Sequence, residues 1–322
     1  MIGFADVGYV ATQREIPEGF KLGQLVGHVT SGLSERVTFF GEVSATPRST
    51  GYGVEVERLL LRYDFADYFK VSAGRYHTPI GYWNTAFHHG LWLQTSVARP
   101  EMIKFGSKYL PVHFVGILME GALPTSGLSY FAGIGNGRNI NIGRAGDAGD
   151  VNDQRALLAG FKFRPQAIYG LQIGGSVYHD RIAVDSVNAV DENTFSAHLA
   201  YEKEQPEVIA EYAWVVHDPL HTGRATTNRA YYVQVAYRLP DALNMLKPYA
   251  RLEQNDVAKD DPIFEPLNLE YKALVAGLRY DFIHMAALKA EYRNERFVDA
   301  SRVSSFFLQV SFTFSSLGSH DF

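Results

Sequence analysis

Phe306-Phe307-Leu308-Gln309-Val310-Ser311-Phe312-Thr313-Phe314 reads as an extended segment with two unlike faces. Successive side chains of a strand point to opposite sides, so Phe306, Leu308, Val310, Phe312 and Phe314 share one face. Phe307, Gln309, Ser311 and Thr313 share the other. A soluble sandwich could pack the first face on a core. An all-apolar side ending in aromatics and backed by small polar residues also describes a wall between lipid and water. The wall is the better reading if the pattern recurs along the chain.

It recurs. Alternation and turn residues place strands near 3–12, 20–31, 36–46, 53–65, 69–78, 113–123, 127–136, 156–164, 170–180, 193–203, 207–217, 229–239, 247–255, 271–282, 286–296 and 303–314. Most approach the roughly 9–11 residues that a tilted transmembrane strand needs. Short links at 32–35, 66–68, 124–126, 165–169, 204–206, 240–246 and 283–285 mostly alternate with longer ones at 79–112, 137–155, 181–192, 218–228 and 256–270. Short turns at one end and long loops at the other define an expected all-β, antiparallel up-and-down transmembrane β-barrel of about sixteen strands. It forms a single domain over residues 1–322. An even strand count brings both termini to the short-turn end, the periplasmic side of an outer-membrane barrel.

Composition agrees. The 322 residues contain no Pro-rich, Ser-rich or single-charge run that would divide domains. Mean hydropathy is −0.12, and no stretch approaches the roughly 20 apolar residues of a membrane-spanning helix. Barrels escape such windows because lumen-facing residues dilute the average. With 19 Tyr, 21 Phe and 29 Gly the chain suits short strands and tight turns, and without Cys it has neither disulfides nor thiolate metal sites. A net charge of −5 gives no sign of nucleic-acid binding. The first strand begins almost at Met1, so the chain reads as the mature or trimmed form of an exported protein.

Aromatics gather where strands run into short turns: Tyr63, Phe65, Phe163, Tyr201, Tyr237, Tyr280, Phe282, Phe312 and Phe314. Rings at one level around a barrel form an interfacial girdle; ordinary enrichment of aromatics in strands is the bland alternative. Alternation sends Leu59, Leu61, Val233, Val235, Leu274 and Leu278 outward. Arg58, Arg62, Glu211, Gln234, Arg251, Glu253, Arg279, Lys289 and Glu291 then point inward. Unpaired ions are costly in a dry core and tolerated in a watery lumen. Sixteen strands enclose more space than wall side chains fill, leaving an aqueous channel.

At Gly74-Arg75-Tyr76-His77-Thr78-Pro79-Ile80-Gly81-Tyr82-Trp83-Asn84, and again at Gly133-Ile134-Gly135-Asn136-Gly137-Arg138, the chain resembles the phosphate-selective porin (O and P type) superfamily of Gram-negative outer membranes. The resemblance implies a passive channel for small hydrophilic solutes or ions, set in outer-membrane lipid and often a homotrimer. It also implies a long loop folded inward to narrow the pore and, in phosphate-selective members, a basic ladder along it.

Function is therefore expected at two places. The loop 79–112 holds Tyr82, Trp83, His88, His89 and Trp92 as constriction residues, with Arg99 and Lys104. An external loop or an intersubunit latch is the alternative. Charge rings set selectivity, and the expected pore-lining set is Arg58, Arg62, Lys70, Arg75, Arg99, Lys104, Arg138, Glu211, Arg251 and Glu253. Arg75 faces the lumen only if a bulge intervenes; Arg251 and Glu253 also suit a wall-holding pair. No metal is expected at His88-His89, because adjacent strand residues point apart and no third ligand has the spacing. The Gly-Asn-Gly run is turn chemistry, without the helix and Lys-Ser/Thr ending of a phosphate loop. No cofactor and no catalytic residue is assigned. An outer-membrane barrel enzyme, or a barrel that sheathes or anchors a partner protein, are the other readings.

Overall fold

The computed structural model describes the chain except residues 15, 88, 139–141, 185–188, 222, 299–301 and 316–322. Sixteen antiparallel strands hydrogen-bond in chain order: β1 Ile2–Thr12, β2 Gly19–Gly32, β3 Val37–Arg48, β4 Gly51–Ala66, β5 Phe69–His77, β6 His113–Leu123, β7 Leu128–Asn136, β8 Ala156–Phe163, β9 Leu171–Ala183, β10 Ala189–Glu202, β11 Glu207–Pro219, β12 Thr226–Ala236, β13 Leu246–Asp256, β14 Tyr271–Ile283, β15 Ala286–Phe297 and β16 Val303–Ser315. β16 returns to β1 from Ile2↔Ser315 to Thr12↔Ser305, closing the barrel. Closure leaves no sheet edge, which a lipid-embedded sheet requires.

The largest departures from the sequence expectation are at β10, which begins four residues earlier than 193, and at β12, which covers Thr226–Ala236 rather than 229–239. Asp191 looks like loop chemistry, but its carboxylate takes the Arg181 guanidinium at 2.7 Å across the β9–β10 pair. A satisfied pair of opposite charges lets a polar segment continue as strand.

The outer face is apolar: Leu59, Leu61, Val233, Val235, Leu274, Leu278, Phe306, Leu308, Val310 and Phe314 are exposed, whereas Gln309 and Ser311 on the opposite face of β16 are buried. Exposed aromatic rings stand at the turn end, Tyr63, Phe65, Phe163, Tyr237, Tyr280 and Phe314 among them, and some lie against one another, as in Tyr63–Phe65 with centroids 4.5 Å apart. At the β3–β4 pair the register shifts between Glu42↔Arg58 and Val43↔Val56, leaving Glu57 as the extra residue of a bulge. Both Glu57 and Arg58 are thereby turned inward.

Candidate functional site: a loop docked on a charged wall

The loop 78–112 begins where β5 ends and closes its own neck, Thr78 N–H donating to the Val112 carbonyl at 3.0 Å. Asn84 locks the neck by donating to the Thr78 and Val112 carbonyls at 2.9 and 2.8 Å. Between these points the chain makes one helical turn, Trp83–Ala86, and a 3-10 turn, Glu101–Ile103. The loop then reaches the opposite wall.

That wall reads the loop backbone one group at a time. Glu211 on β11 accepts from the Tyr82 and Trp83 N–H groups at 2.8 and 2.7 Å, and from the Tyr232 hydroxyl. Glu253 on β13 accepts from the Glu101 N–H at 2.6 Å, and Glu291 on β15 from the Val97 N–H at 3.0 Å. Cations answer the carbonyls. Arg279 on β14 donates to Trp92 O and Gln94 O at 2.7 and 2.9 Å. Lys289 on β15 donates to the Leu91, Gln94 and Ser96 carbonyls, the last two at 2.8 and 3.1 Å. A loop without a ladder of its own must find partners for its peptide groups once water is removed. Ionised side chains provide the stronger kind of hydrogen bond.

Gly81 permits the docking at Glu211. It sits at φ +72°, and a Cβ there would lie 1.8 Å from Glu211 Oε2. Trp83, fully buried, packs its ring edge-on to Phe87 and Tyr232 with centroids 5.0 and 5.8 Å away.

Several expected pore-lining residues therefore have a different role. Glu211, Arg251 and Glu253 do point inward, but the docked loop covers them. Arg251 is 1% exposed and bonds Glu253 and Ser96 Oγ, each at 2.8 Å. Arg99, also buried, donates to Asn84 Oδ1 at 3.1 Å. Arg138, at the start of the loop 137–155, is buried, donating to the Lys108 and Tyr109 carbonyls of the loop 78–112 and lying 3.3 Å from Glu192. These five hold loops in place, and Arg99 also borders a cavity beside the loop. Alternation identified the inward face and was silent about what covers it. Tyr82 and Trp83 lie within the dock. Half-buried Trp92 contributes its carbonyl there, with the Arg279 guanidinium 5.9 Å from its ring. His88 lies outside the described residues, and His89 turns back to the loop stems beside His77 and His113.

Arg58, Arg62 and Lys70 do line open space. With Lys162 and Arg164 they border a cavity of about 460 Å³ at the turn end, whose acids are Asp67 and Glu120 and whose loop-side boundary includes Pro79 and Thr85. Arg62 is 2.7 Å and Lys70 3.7 Å from Asp64, while Arg58 pairs with buried Glu42. A second cavity of about 320 Å³ borders the loop elsewhere, lined by Asp6, Arg99, Glu101, Lys104 and Arg293 among others. Lys104 is exposed there and pairs with Glu101. Arg75 is drawn off the outward face: Gly74 stands at φ +136°, and the guanidinium donates to the Glu57 carbonyl at 3.1 Å and pairs with Asp147.

A third lock was not foreseen. Asp261, on the loop 257–270, accepts from His217 Nδ1 at 2.8 Å, from Asn228 at 2.6 Å and from the Ile263 and Phe264 N–H groups at 3.0 and 2.6 Å. Burial opposes ionisation of this carboxyl, but the hydrogen bonds from His217, Asn228 and Phe264 outweigh it and hold its pKa well below the usual value. A depressed folded-state pKa contributes stability above the ordinary carboxylate value, lost as pH falls through the lower one. Hydrogen-exchange protection of the Ile263 and Phe264 amides should thus hold from neutrality down to about pH 4, the ordinary Asp range, and fall only in stronger acid. Loss of protection already near neutral pH would show that Asp261 is not the clamp.

No family model matches the chain, and no curated protein sequence does. Solved structures of the same architecture do match. OmpF of Salmonella typhi, solved with daunomycin, is 13% identical, with a TM-score of 0.65 over 97% of this chain and 96% of that one. The outer membrane channel DcaP of Acinetobacter baumannii is 13% identical, with a TM-score of 0.64 over 97% and 96%. OmpT, an outer membrane protein of Vibrio cholerae solved in a trimer form, is 14% identical, with a TM-score of 0.63 over 97% and 98%. The chain has the closed sixteen-stranded fold of these outer-membrane barrels. The likeness is to the barrel; the phosphate-selective family is not singled out by it.

Proposed function

We propose that the chain is an outer-membrane porin, with both termini periplasmic, that passes small hydrophilic or charged solutes by passive diffusion and needs no cofactor. The observation that carries this reading is a closed barrel with an apolar outer face and a long loop drawn inward that narrows the interior. The chambers bordering that loop are lined by charged side chains. Such an interior suits passage of ions and polar solutes. Five cations line the turn-end chamber, four of them partnered by carboxylates (Arg58 by Glu42, Arg62 and Lys70 by Asp64, Arg164 by Glu202), so the chamber is nearly charge-balanced and reversing Arg62 and Lys70 would make it acidic. A homotrimer is the assembly we assign, in keeping with the trimer form of the Vibrio cholerae neighbour.

A catalytic role has less support. His217, held between two acids, has one ring nitrogen on Asp261 and the other on Glu192 at 3.0 Å, leaving none to activate a nucleophile.

The test is conductance in a planar bilayer with a salt gradient. Purified protein should give ion-conducting steps with a defined reversal potential. Arg62→Glu combined with Lys70→Glu should move it toward cations. Arg58 is the poorer probe, because its replacement strands Glu42, which is buried. Silence in several salts would refute the channel; an unmoved reversal potential would refute selectivity at the turn-end chamber.

A further inference from the structure

The two stems of the loop 78–112 each carry a histidine, and the register places them opposite one another, His77 on β5 facing His113 on β6. Directly opposed residues on one sheet face bring their Cβ atoms within about 4.5–5.5 Å. The loop then returns His89 to the same spot, so that one ring nitrogen from each of the three histidines lies within 4.8 Å of the others. The β3–β4 bulge supplies a carboxylate: Glu57 Oε2 is 3.0 Å from His113 Nε2 and 3.3 Å from His89 Nε2. Metal–nitrogen bonds of about 2.0–2.1 Å in a tetrahedron set ligand atoms roughly 3.3–3.4 Å apart. Two edges of the cluster already have close to that length.

The surroundings match a metal site beyond the ligand set. His89 Nδ1 is 3.3 Å from Gln24 Oε1, and the amide of Gln24 is oriented by its own bond to Thr46 at 2.9 Å. An acceptor at Nδ1 keeps the proton there and turns Nε2 toward the cluster, the outer-shell arrangement that fixes metal-binding imidazoles. Phe105 stacks on the His89 ring at 4.4 Å and holds its plane. Glu42 lies beside the cluster, 3.8 Å from His77 and 3.9 Å from His89, but is already engaged by Arg58 and by His28. The cations facing the cluster are Arg58, on Glu42; Arg75, on Asp147; and Arg99, over Phe105. His77 also borders the turn-end cavity, which gives an ion a way in.

We propose that His77, His89, His113 and Glu57 bind one divalent transition-metal ion of the zinc class, tying the body of the loop to both its stems and to the β4 wall. Three imidazoles and one carboxylate select such ions over magnesium or calcium, which require oxygen ligands. The site is independent of the transport reading, since its geometry is fixed whether or not the barrel conducts.

The experiment uses the full chain folded in detergent micelles and stripped with a chelator. Cobalt(II), then zinc(II) in competition, is titrated while the visible ligand-field absorption is followed. One equivalent of cobalt should bind with the strong absorption of a tetrahedral centre and be displaced by zinc. His89→Ala and Glu57→Gln should abolish the band. Gln24→Leu, which touches no ligand atom of the ion, should weaken binding about 10–100-fold. His221→Ala, an exposed loop position, should change nothing. X-ray absorption of the zinc-loaded unaltered chain supplies a reading that needs no variant: three imidazoles and one carboxylate are expected. No stoichiometric binding, an oxygen-only shell, or an unchanged band in a folded His89→Ala variant would each overturn the proposal.

Discussion

Glu211→Ala should release the loop 78–112 from the far wall and, on the porin reading, raise single-channel conductance. The carboxylate accepts three hydrogen bonds, from the Tyr82 and Trp83 amides and the Tyr232 hydroxyl. The residues that supply them are themselves buried. Alanine leaves three donors without water or partner. Stranding a buried donor costs about 1–3 kcal/mol, and breaking a buried charge network about 3–5 kcal/mol in total. At about 1.4 kcal/mol per tenfold, that shifts the docked-to-undocked ratio by about two to three and a half orders of magnitude. The barrel keeps its ladder and its outer face, so the loss falls on the loop. Trp83 reports it directly. In a Trp92→Phe, Trp214→Phe background it is the one tryptophan of the three, fully buried when docked and exposed to iodide when not. Low quenching that persists in Glu211→Ala, with unchanged conductance, would show that the loop is held by other means.

Much of the barrel was legible because lipid makes period two unambiguous. Phe306–Phe314 has one oily face and one polar face, and a one-residue slip would exchange them, so the register is strongly specified. Tyr63 and Phe65 mark a strand end for the same reason. The motif Gly81-Tyr82-Trp83-Asn84 was also visible, and each of its residues serves loop docking or the loop neck. The partners were not visible. Trp83 and Glu211 are 128 residues apart, and alternation cannot say whether an inward charge meets water or peptide. Arg251 and Glu253 show the limit: the pair was foreseen, its burial under Ser96 was not. The meeting of His77, His89 and His113 could not be read from the adjacent pair His88-His89. The useful signal lay in the stems: strands ending near 78 and starting at 113 flank one loop, and are therefore neighbours. His217 and Asp261 gave no comparable signal, because a loop carboxylate has no register.

Trp83→Ala tests the same dock from its apolar side. Truncating a buried Trp typically costs about 3–5 kcal/mol, through lost transfer energy and the cavity left behind. Here the void opens between Phe87, Tyr232 and the Arg251 guanidinium, which lies 5.7 Å from the indole ring. A void beside a buried charge invites water, which weakens the neighbouring bonds to Glu211 as well. The two effects are therefore coupled. Alanine at both positions should cost less than the sum of the single changes, by about 0.5–3 kcal/mol, the usual coupling between contacting residues. Hydrogen exchange of the residue-83 amide, which the mutation retains, measures each corner of the cycle. Strict additivity would mean that Trp83 and Glu211 act on separate parts of the loop, and that the dock is two contacts rather than one cooperative unit.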